Sequence, residues 1–334
     1  MSASELSEYL TFATDLAKQA GTLIKEGVDK RFAGSGSIMA KYSNPSDMVT
    51  ETDQAVEAFI KEKIFKAYPN HKSAANMYFY NARFIGEETF AAGEKPSFTD
   101  VPTWIVDPID GTTNFIHGYP FVCVSIGLTV NKLPVVGVIY NPLLNELYTA
   151  AHGQGAYLNQ TTRLPLFDPK NIAPLNDLSE CLVMTEMGAD RSAAVISRKI
   201  DTIHNLVASP QDPGKRAIIQ NSVGTQAHSI RSTGSAALNL CCVAKGVADV
   251  FWEIGCWEWD VCAAIVVLRE AGGITLDGLK PSDEEVNIFC RRYLAIRPTG
   301  DKDSQLKIAR QFWSLVPKEG IRAPRDAVPG GYEP

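Results

Sequence analysis

The chain has 334 residues, 45% of them hydrophobic, enough to fill one large core or two closely packed ones and too apolar for general disorder. Its formal net charge is −6, with no stripe of interleaved basic and aromatic residues, which argues against nucleic acid as the main partner. No apolar run reaches bilayer-spanning length, so no membrane helix is expected. Met1 to Leu10 lack a basic segment followed by an apolar one, so no secretory leader is expected. Seven cysteines form an odd count without a C-x-x-C pair, and Cys241 and Cys242 are adjacent, which fits a reduced, cytoplasmic chain.

Leu6, Leu10, Ala13, Leu16, Ala17, Ala20, Leu23 and Ile24 recur at helical spacing and predict a long amphipathic first helix. Arg31 to Lys41, rich in Gly and Ser, reads as a loop or hairpin. A second amphipathic helix follows Asp47-Met48-Val49-Thr50-Glu51-Thr52-Asp53, carrying Val56, Phe59, Ile60 and Ile64 and ending before Pro69. His71 to Arg83 has no clear period and reads as an inserted loop whose aromatic residues either form an interface patch or fold back on the surface. Phe84 to Glu88 is a short apolar run ending in two glutamates.

Trp104-Ile105-Val106-Asp107-Pro108-Ile109-Asp110-Gly111-Thr112-Thr113 comes next. It reads as a buried strand delivering two carboxylates, then a turn into a short helix. Phe121–Val130 and Leu133–Tyr140 predict strands joined by an Asn131-Lys132 turn, continued by Glu146–Ala150 and Ala156–Leu158. Hairpin links between sequential strands imply a largely antiparallel sheet. The Pro-containing segment 161–178 is the expected boundary between an N-terminal half, 1–165, and a C-terminal half, 175–315. In the second half, strands are expected at Cys181–Thr185, Val247–Ile254 and Tyr293–Ile296, with a loop over 207–222. Helices are expected at Ser192–Val207, Gly234–Ala244, Val261–Ala271 and Gln305–Leu315. A mobile tail, 316–334, is expected at the end.

Four acidic stations stand out: Glu87, Asp107, Asp110 and Asp260. Each has a plain structural alternative, Asp110 as the cap of a turn and Asp260 as the N-cap of an apolar helix. Brought together, they would repel one another unless divalent cations joined them, and all-oxygen ligands favour Mg²⁺ or Mn²⁺ over Zn²⁺. Gly111 and Thr112 offer backbone amides to an anion at a helix start. No H-E-x-x-H zinc spacing and no G-x-S-x-G elbow occurs, and Gly153-Gln154-Gly155 lacks the strand-into-helix context of a dinucleotide loop.

W-I-V-D-P-I-D-G-T-T over Trp104–Thr113 resembles the first signature of the inositol monophosphatase family. Trp259-Asp260 with Glu270-Ala271-Gly272-Gly273 resembles the second. Asp47–Asp53, Gly86-Glu87-Glu88 and Ile230–Ala237 match in the same order, so the resemblance covers about residues 5 to 315. It implies an α/β (α+β) fold, the layered α-β-α-β-α sandwich of the lithium-sensitive sugar phosphatases. It implies Mg²⁺-dependent hydrolysis of myo-inositol monophosphates by a metal-activated water, with two or three Mg²⁺ ions per site, Mn²⁺ as a substitute, Li⁺ as inhibitor and a homodimer.

By the same resemblance, Glu87, Asp107 and the carbonyl of Ile109 hold one cation, and Asp107, Asp110 and Asp260 a second. Thr112, supported by Asp47, helps Glu87 orient and deprotonate the attacking water. Gly111 and Thr112 amides hold the phosphate. Gly234, Ser235, Ala236 and Glu253 face the polyol. Alternatives within the chemistry are another sugar phosphate, histidinol phosphate or a nucleotide 3′-phosphate, and outside it a non-catalytic regulatory member. The sequence departs from the family pattern in the long 71–83 segment, in Cys262 and Ile265 at positions where small residues are usual, and in the tail.

Overall fold

Ser2 and Glu5 form a capping box, each satisfying the other's backbone N–H, and start α1 (Ala3–Phe32). The helix buries the expected stripe from Leu6 through Ala13, Leu16, Ala17 and Ala20 to Ile24. The computed structural model describes residues 1–34, 38–40, 48–68, 84–94, 98–168, 174–210 and 224–317. The expected inserted loop at 71–83, most of the loop over 207–222 and nearly all of the tail lie outside these residues. β1 (Ile38–Ala40) pairs antiparallel with β2 (Met48–Thr50), while Arg31 and Phe32, expected in a loop or hairpin, close α1. Thr50 then caps α2 (Glu51–Ala67), its hydroxyl accepting from the amides of Thr52 and Asp53. α2 stops two residues before Pro69, because a residue preceding proline is driven out of the helical region.

Next come β3 (Phe84–Gly86), α3 (Glu87–Ala91), β4 (Thr103–Asp110) and α4 (Thr112–His117). The meander follows as β5 (Cys123–Val130), β6 (Leu133–Asn141), β7 (Glu146–Ala151), β8 (Ala156–Leu158) and β9 (Thr162–Arg163). They make a seven-stranded sheet in sequence order, β3 parallel to β4 and the other neighbours antiparallel. Asn131 and Lys132 both take positive φ, 52° and 64°, the turn that matches strand twist in a two-residue hairpin.

The second half contributes β10 (Leu182–Thr185), α5 (Ala193–Val207), β11 (Ser229–Arg231), α6 (Ala236–Lys245) and β12 (Val250–Ile254). α7 (Glu258–Glu270), β13 (Ile274–Asp277), β14 (Arg292–Ile296) and α8 (Lys302–Leu315) complete it. The second sheet has the order β11-β10-β12-β14-β13. β11 and β13 were not anticipated. Both are short edge strands, and Ser229-Ile230-Arg231 has no run of apolar residues to announce itself.

Five layers result. α1 and α2 cover one face of the first sheet, α6 and α7 fill the space between the sheets, and α5 and α8 close the outer face of the second. This is the layered α-β-α-β-α sandwich. α7 is buried on nearly every side, which explains the unbroken apolar run from Val261 to Leu268. It lies so close to the first sheet that a side chain on Gly127 would overlap Cys262 and one on Gly137 would overlap the backbone of Ala263. Cys262 is therefore accommodated by Gly127, and the backbone at Ala263 by Gly137. Gly137→Ala should force α7 outward at a cost of ~1–3 kcal/mol and lower the thermal midpoint by about 2–5 °C, measurable by calorimetry. An unchanged midpoint would mean that this close approach is slack.

Candidate active site

In a regular strand, residues three apart point to opposite faces. Asp107 and Asp110 are three apart on β4, yet both reach the same site. The pairing with β5 explains it. Asp107 stands opposite Ser125 and Asp110 opposite Cys123, so β4 carries one residue more than its partner between the two pairs. The extra residue falls at Pro108-Ile109, where proline offers no N–H to the ladder. The bulge turns Asp110 to the side of Asp107.

Asp107, 2% exposed, accepts from the amide of Ile109 at 2.9 Å. Asp110 accepts from Ser235 Oγ at 2.5 Å and from the amide of Ala237 at 2.7 Å. It is thus bonded to the start of α6 and does not cap its own turn. Asp260 lies at the third position of α7 and accepts from the amide of Trp257 at 2.7 Å. It is a member of the first helical turn and not the N-cap. Carboxylate oxygens of Asp107, Asp110 and Asp260 lie within 4.8 Å of one another.

Burial pushes all three acids up. The charges of Glu87, Asp110 and Asp260 add to this at Asp107, which stands well above the carboxylate range. Asp260 is likewise well raised, by burial and then by Asp110 and Glu87. Asp110 reaches about 6, because the hydrogen bonds from Ser235 and Ala237 oppose its burial. Among the described residues, no Lys or Arg forms an ion pair with these three aspartates. A buried, uncompensated, all-oxygen cluster fits a hard divalent cation, with Glu87 and the carbonyl of Ile109 as further donors at its edge. Glu87 makes its charge felt at Asp107, Asp110 and Asp260 but is not one of the close trio.

Glu87 is the first residue of α3, at the end of β3. Gly86, before it, has no side chain to cap the helix. Glu57 from α2 does so instead, accepting from the amides of Glu88 and Thr89, both at 2.7 Å, and from Thr89 Oγ1 at 2.5 Å. Burial raises the Glu57 carboxyl, and these bonds pull it back. Sequence reasoning missed Glu57, although a visible signal existed: it shares the helix face of Ile60 and Ile64.

Thr112 has a support that sequence reasoning did not name. Asp47, its expected support, lies outside the described residues. Among the described residues, Thr112 reaches the carboxylate of Asp53, with Oγ1 3.2 Å from Asp53 Oδ1 and 3.1 Å from the carbonyl of Ile109. Asp53 is itself fully buried and held through Oδ2 by the amide and hydroxyl of Thr50. The capping box of α2 therefore also fixes Thr112. Gly111 takes φ +95°, and a Cβ there would lie 2.8 Å from the carbonyl of Phe121. Only glycine turns the chain here from β4 into α4 without strain.

Gly234, Ser235 and Ala236 form the turn into α6. The Ser235 hydroxyl is committed to Asp110 and to the amide of Leu238, and the amide of Gly234 to Glu186. Two residues not anticipated hold the turn. Asn114 Nδ2 donates to the carbonyls of Phe121 at 2.8 Å and Thr233 at 2.7 Å. Glu186 accepts from Ser232 Oγ and the amide of Thr233, each at 2.6 Å, and from the amide of Gly234 and Asn239 Nδ2, each at 2.8 Å. Glu253, on β12, is 4% exposed and is pushed up to about 8 by burial, which the ammonium of Lys199 opposes.

Two outcomes follow from this geometry. Glu57→Gln replaces an acceptor by an N–H facing other N–H groups, and should weaken Mg²⁺ binding roughly tenfold or more; calorimetric titration would show it, and wild-type affinity would count against the role. The raised acids also set a pH dependence. Raised acids contribute stability that is full below the ordinary carboxylate range and is lost as pH rises to their folded values, by about 6 for Asp110 and on to the well-raised values of Asp107 and Asp260. Metal-free protein should therefore melt at a lower temperature at pH 8 than at pH 6, and Mg²⁺ should narrow the gap. A gap unaffected by Mg²⁺ would place its origin elsewhere.

Comparison with known proteins agrees with this geometry. The model of the inositol monophosphatase family matches residues 5–315. Protein qutG of Emericella nidulans is 40% identical over 331 residues, 94% of each chain. Quinic acid degradation cluster protein x of Neurospora crassa is 37% identical over 94% of this chain and 95% of its own. An inositol monophosphatase of Mesembryanthemum crystallinum is 40% identical over 92% of this chain and 97% of its own. The crystal structure of extragenic suppressor protein suhB from Bartonella henselae matches with a TM-score of 0.68 at 28% identity, covering 94% of this chain and all of that one. With the layered sandwich and the carboxylate cluster of β4 and α7 in place, a family match over nearly the whole length means that the chain belongs to the inositol monophosphatase family of phosphatases.

Proposed function

We propose that the protein hydrolyses myo-inositol monophosphates in a Mg²⁺-dependent reaction. The observation that carries this reading is the trio Asp107, Asp110 and Asp260, followed along the chain from Asp110 by the Gly111–Thr112 turn and close enough to Glu253 for the charge of Asp110 to raise it. Glu87, Asp107, Asp110, Asp260 and the carbonyl of Ile109 would hold the cations, with Mn²⁺ as a substitute for Mg²⁺. When bound, such cations supply positive charge for the phosphoryl oxygens and make water a usable nucleophile near neutral pH.

The chain's own groups do the rest. Thr112 gives its hydroxyl proton to Asp53 or the carbonyl of Ile109, which leaves its lone pairs to accept from the attacking water. Glu87 is placed to take the proton that this water loses. The amides of Gly111 and Thr112 hold the phosphate oxygens as charge redistributes in the transition state. The backbone of Gly234 to Ala236 and the carboxylate of Glu253 receive the polyol hydroxyls. Li⁺ inhibition, a homodimer and a cytoplasmic location belong to the same proposal. No helix among the described residues is long and apolar enough to cross a membrane.

A second reading is a phosphomonoesterase for another ring polyol. It is favoured by the similar identity to the plant inositol monophosphatase and to the Neurospora crassa quinic acid degradation cluster protein. Phosphate release from myo-inositol 1-phosphate, with Mg²⁺ and after its removal, tests the first reading, and a panel of polyol phosphates separates the two. Asp110→Asn should lower kcat/KM by roughly 100-fold or more. Turnover that survives either Mg²⁺ removal or this substitution would sink the mechanism.

A further inference from the structure

Lys199 is a buried cation that the reaction above does not use. It lies on α5, 1% exposed, in the layer outside the second sheet. Its Nζ donates to the carbonyl of Glu186 at 2.9 Å and to that of Met187 at 3.0 Å. An ammonium has three N–H groups, so these two acceptors leave one. Burying an ammonium is strongly unfavourable unless an anion and hydrogen bonds offset it.

The anion that feels its charge is Glu253, with no direct hydrogen bond or ion pair between the two. A Cβ on Gly188 would lie 3.1 Å from Lys199 Nζ and 3.6 Å from Glu253 Oε1. Gly188, at φ +67°, has none, so the ammonium and the carboxylate face each other across the bare glycine. Glu253 is deeply buried, and its Oε2 has no hydrogen-bond partner among the described groups. Such an acceptor is costly to keep unless something that enters the pocket donates to it. Glu186 on the loop after β10 and Asp110 on β4 both repel the carboxylate, Lys199 attracts it, and Cys256 beyond β12 senses it as a nearby charge. The backbone that Lys199 grips belongs to Glu186, whose carboxylate carries the Ser232–Gly234 turn. One side chain thus links the acceptor in the pocket to the turn across from it.

We propose that Lys199 is a positioning residue for substrate choice: its ammonium holds Glu253 as an acceptor for the hydroxyls of an uncharged polyol. The pocket thereby favours polyol phosphates over phosphomonoesters whose alcohol lacks hydroxyls. This rests on the phosphatase reading above, and the choice of substrates in the test separates the two.

The test measures Lys199→Met and Lys199→Arg with myo-inositol 1-phosphate and with p-nitrophenyl phosphate, at saturating Mg²⁺. For Lys199→Met, KM for the inositol ester should rise about tenfold while kcat changes less than about threefold. The acidic limb of its kcat/KM profile should move up by about one pH unit, since the cation that favours the ionised form of Glu253 is gone. The p-nitrophenyl phosphate profile should not move, and Lys199→Arg should recover most of the KM effect.

An unmoved KM and unmoved limb, or equal losses on both substrates, would overturn the proposal in favour of a purely structural lysine. If Lys199→Met does not fold, the double variant with Glu253→Gln decides: recovery of folding supports an electrostatic pair, and no recovery overturns it. If the wild-type enzyme prefers another polyol phosphate, the inositol reading fails and the same comparison is read with that ester. If no polyol phosphate is preferred to p-nitrophenyl phosphate, the Lys199 proposal fails while the phosphatase reading stands.

Discussion

Like charges at the end of β4 are the constraint around which the molecule is arranged. Carboxylate oxygens of three aspartates lie within 4.8 Å of one another, two of the residues buried and Asp260 partly so, and no described Lys or Arg forms an ion pair with them. The chain answers with dipoles. The start of α6 gives the Ala237 amide and the Ser235 hydroxyl to Asp110, and the start of α7 gives the Trp257 amide to Asp260. Helix N-termini carry partial positive charge, so each stabilises the acid it meets. These dipoles orient the carboxylates without cancelling their charge. What remains is a strong attraction for a small, hard cation and a reason for each acid to hold its proton when none is there.

The layering follows from the need to bring those helix starts to β4. α6 and α7 belong to the second half of the chain, yet they pack between the sheets and present their first turns to the strand end of the first half. Close packing against Gly127 and Gly137 sets the depth of α7. Asp110 and Asn114 then fasten α4 and β4 to the Thr233–Ala237 segment. The Gly111–Thr112 turn and the Gly234–Ala236 turn are therefore hydrogen-bonded parts of one frame. A shift in either would be transmitted to the other through two or three short bonds.

How much of this could be read from sequence depended on the range of the interaction. Strands of the meander and the apolar helices announced themselves by periodicity, and the acids of β4 by their place at a strand end. The bulge that turns Asp110 toward Asp107 arises from pairing with β5, and a single strand cannot show it. Asp53 illustrates a residue overlooked: it stands in the same motif as Asp47, and its capping bond to Thr50 was legible, but its reach to Thr112, 59 positions away, was not. Glu57, Asn114 and Glu186 act only through tertiary hydrogen bonds. Of these, only Glu57 left a trace, as an acid on an apolar helix face. β11 and β13 were missed because edge strands of three and four residues are too short to carry a period.

The two ends of the site are built on different principles. At the cation end, hydrogen bonds from rigid helix starts fix each acid, and little freedom is left for variation. At the end we propose for the polyol, Glu253 keeps an oxygen without a donor among the described groups, and a lysine from a separate helix favours its charged form against burial. Glu186 supports the facing turn from a loop whose backbone that same lysine holds. A change in α5 could therefore retune which alcohol is accepted while leaving Asp107, Asp110 and Asp260 untouched. Conserved chemistry and variable substrate choice can thus coexist in one frame, and overall identity to a relative is a weaker guide to the substrate than the few side chains around Glu253.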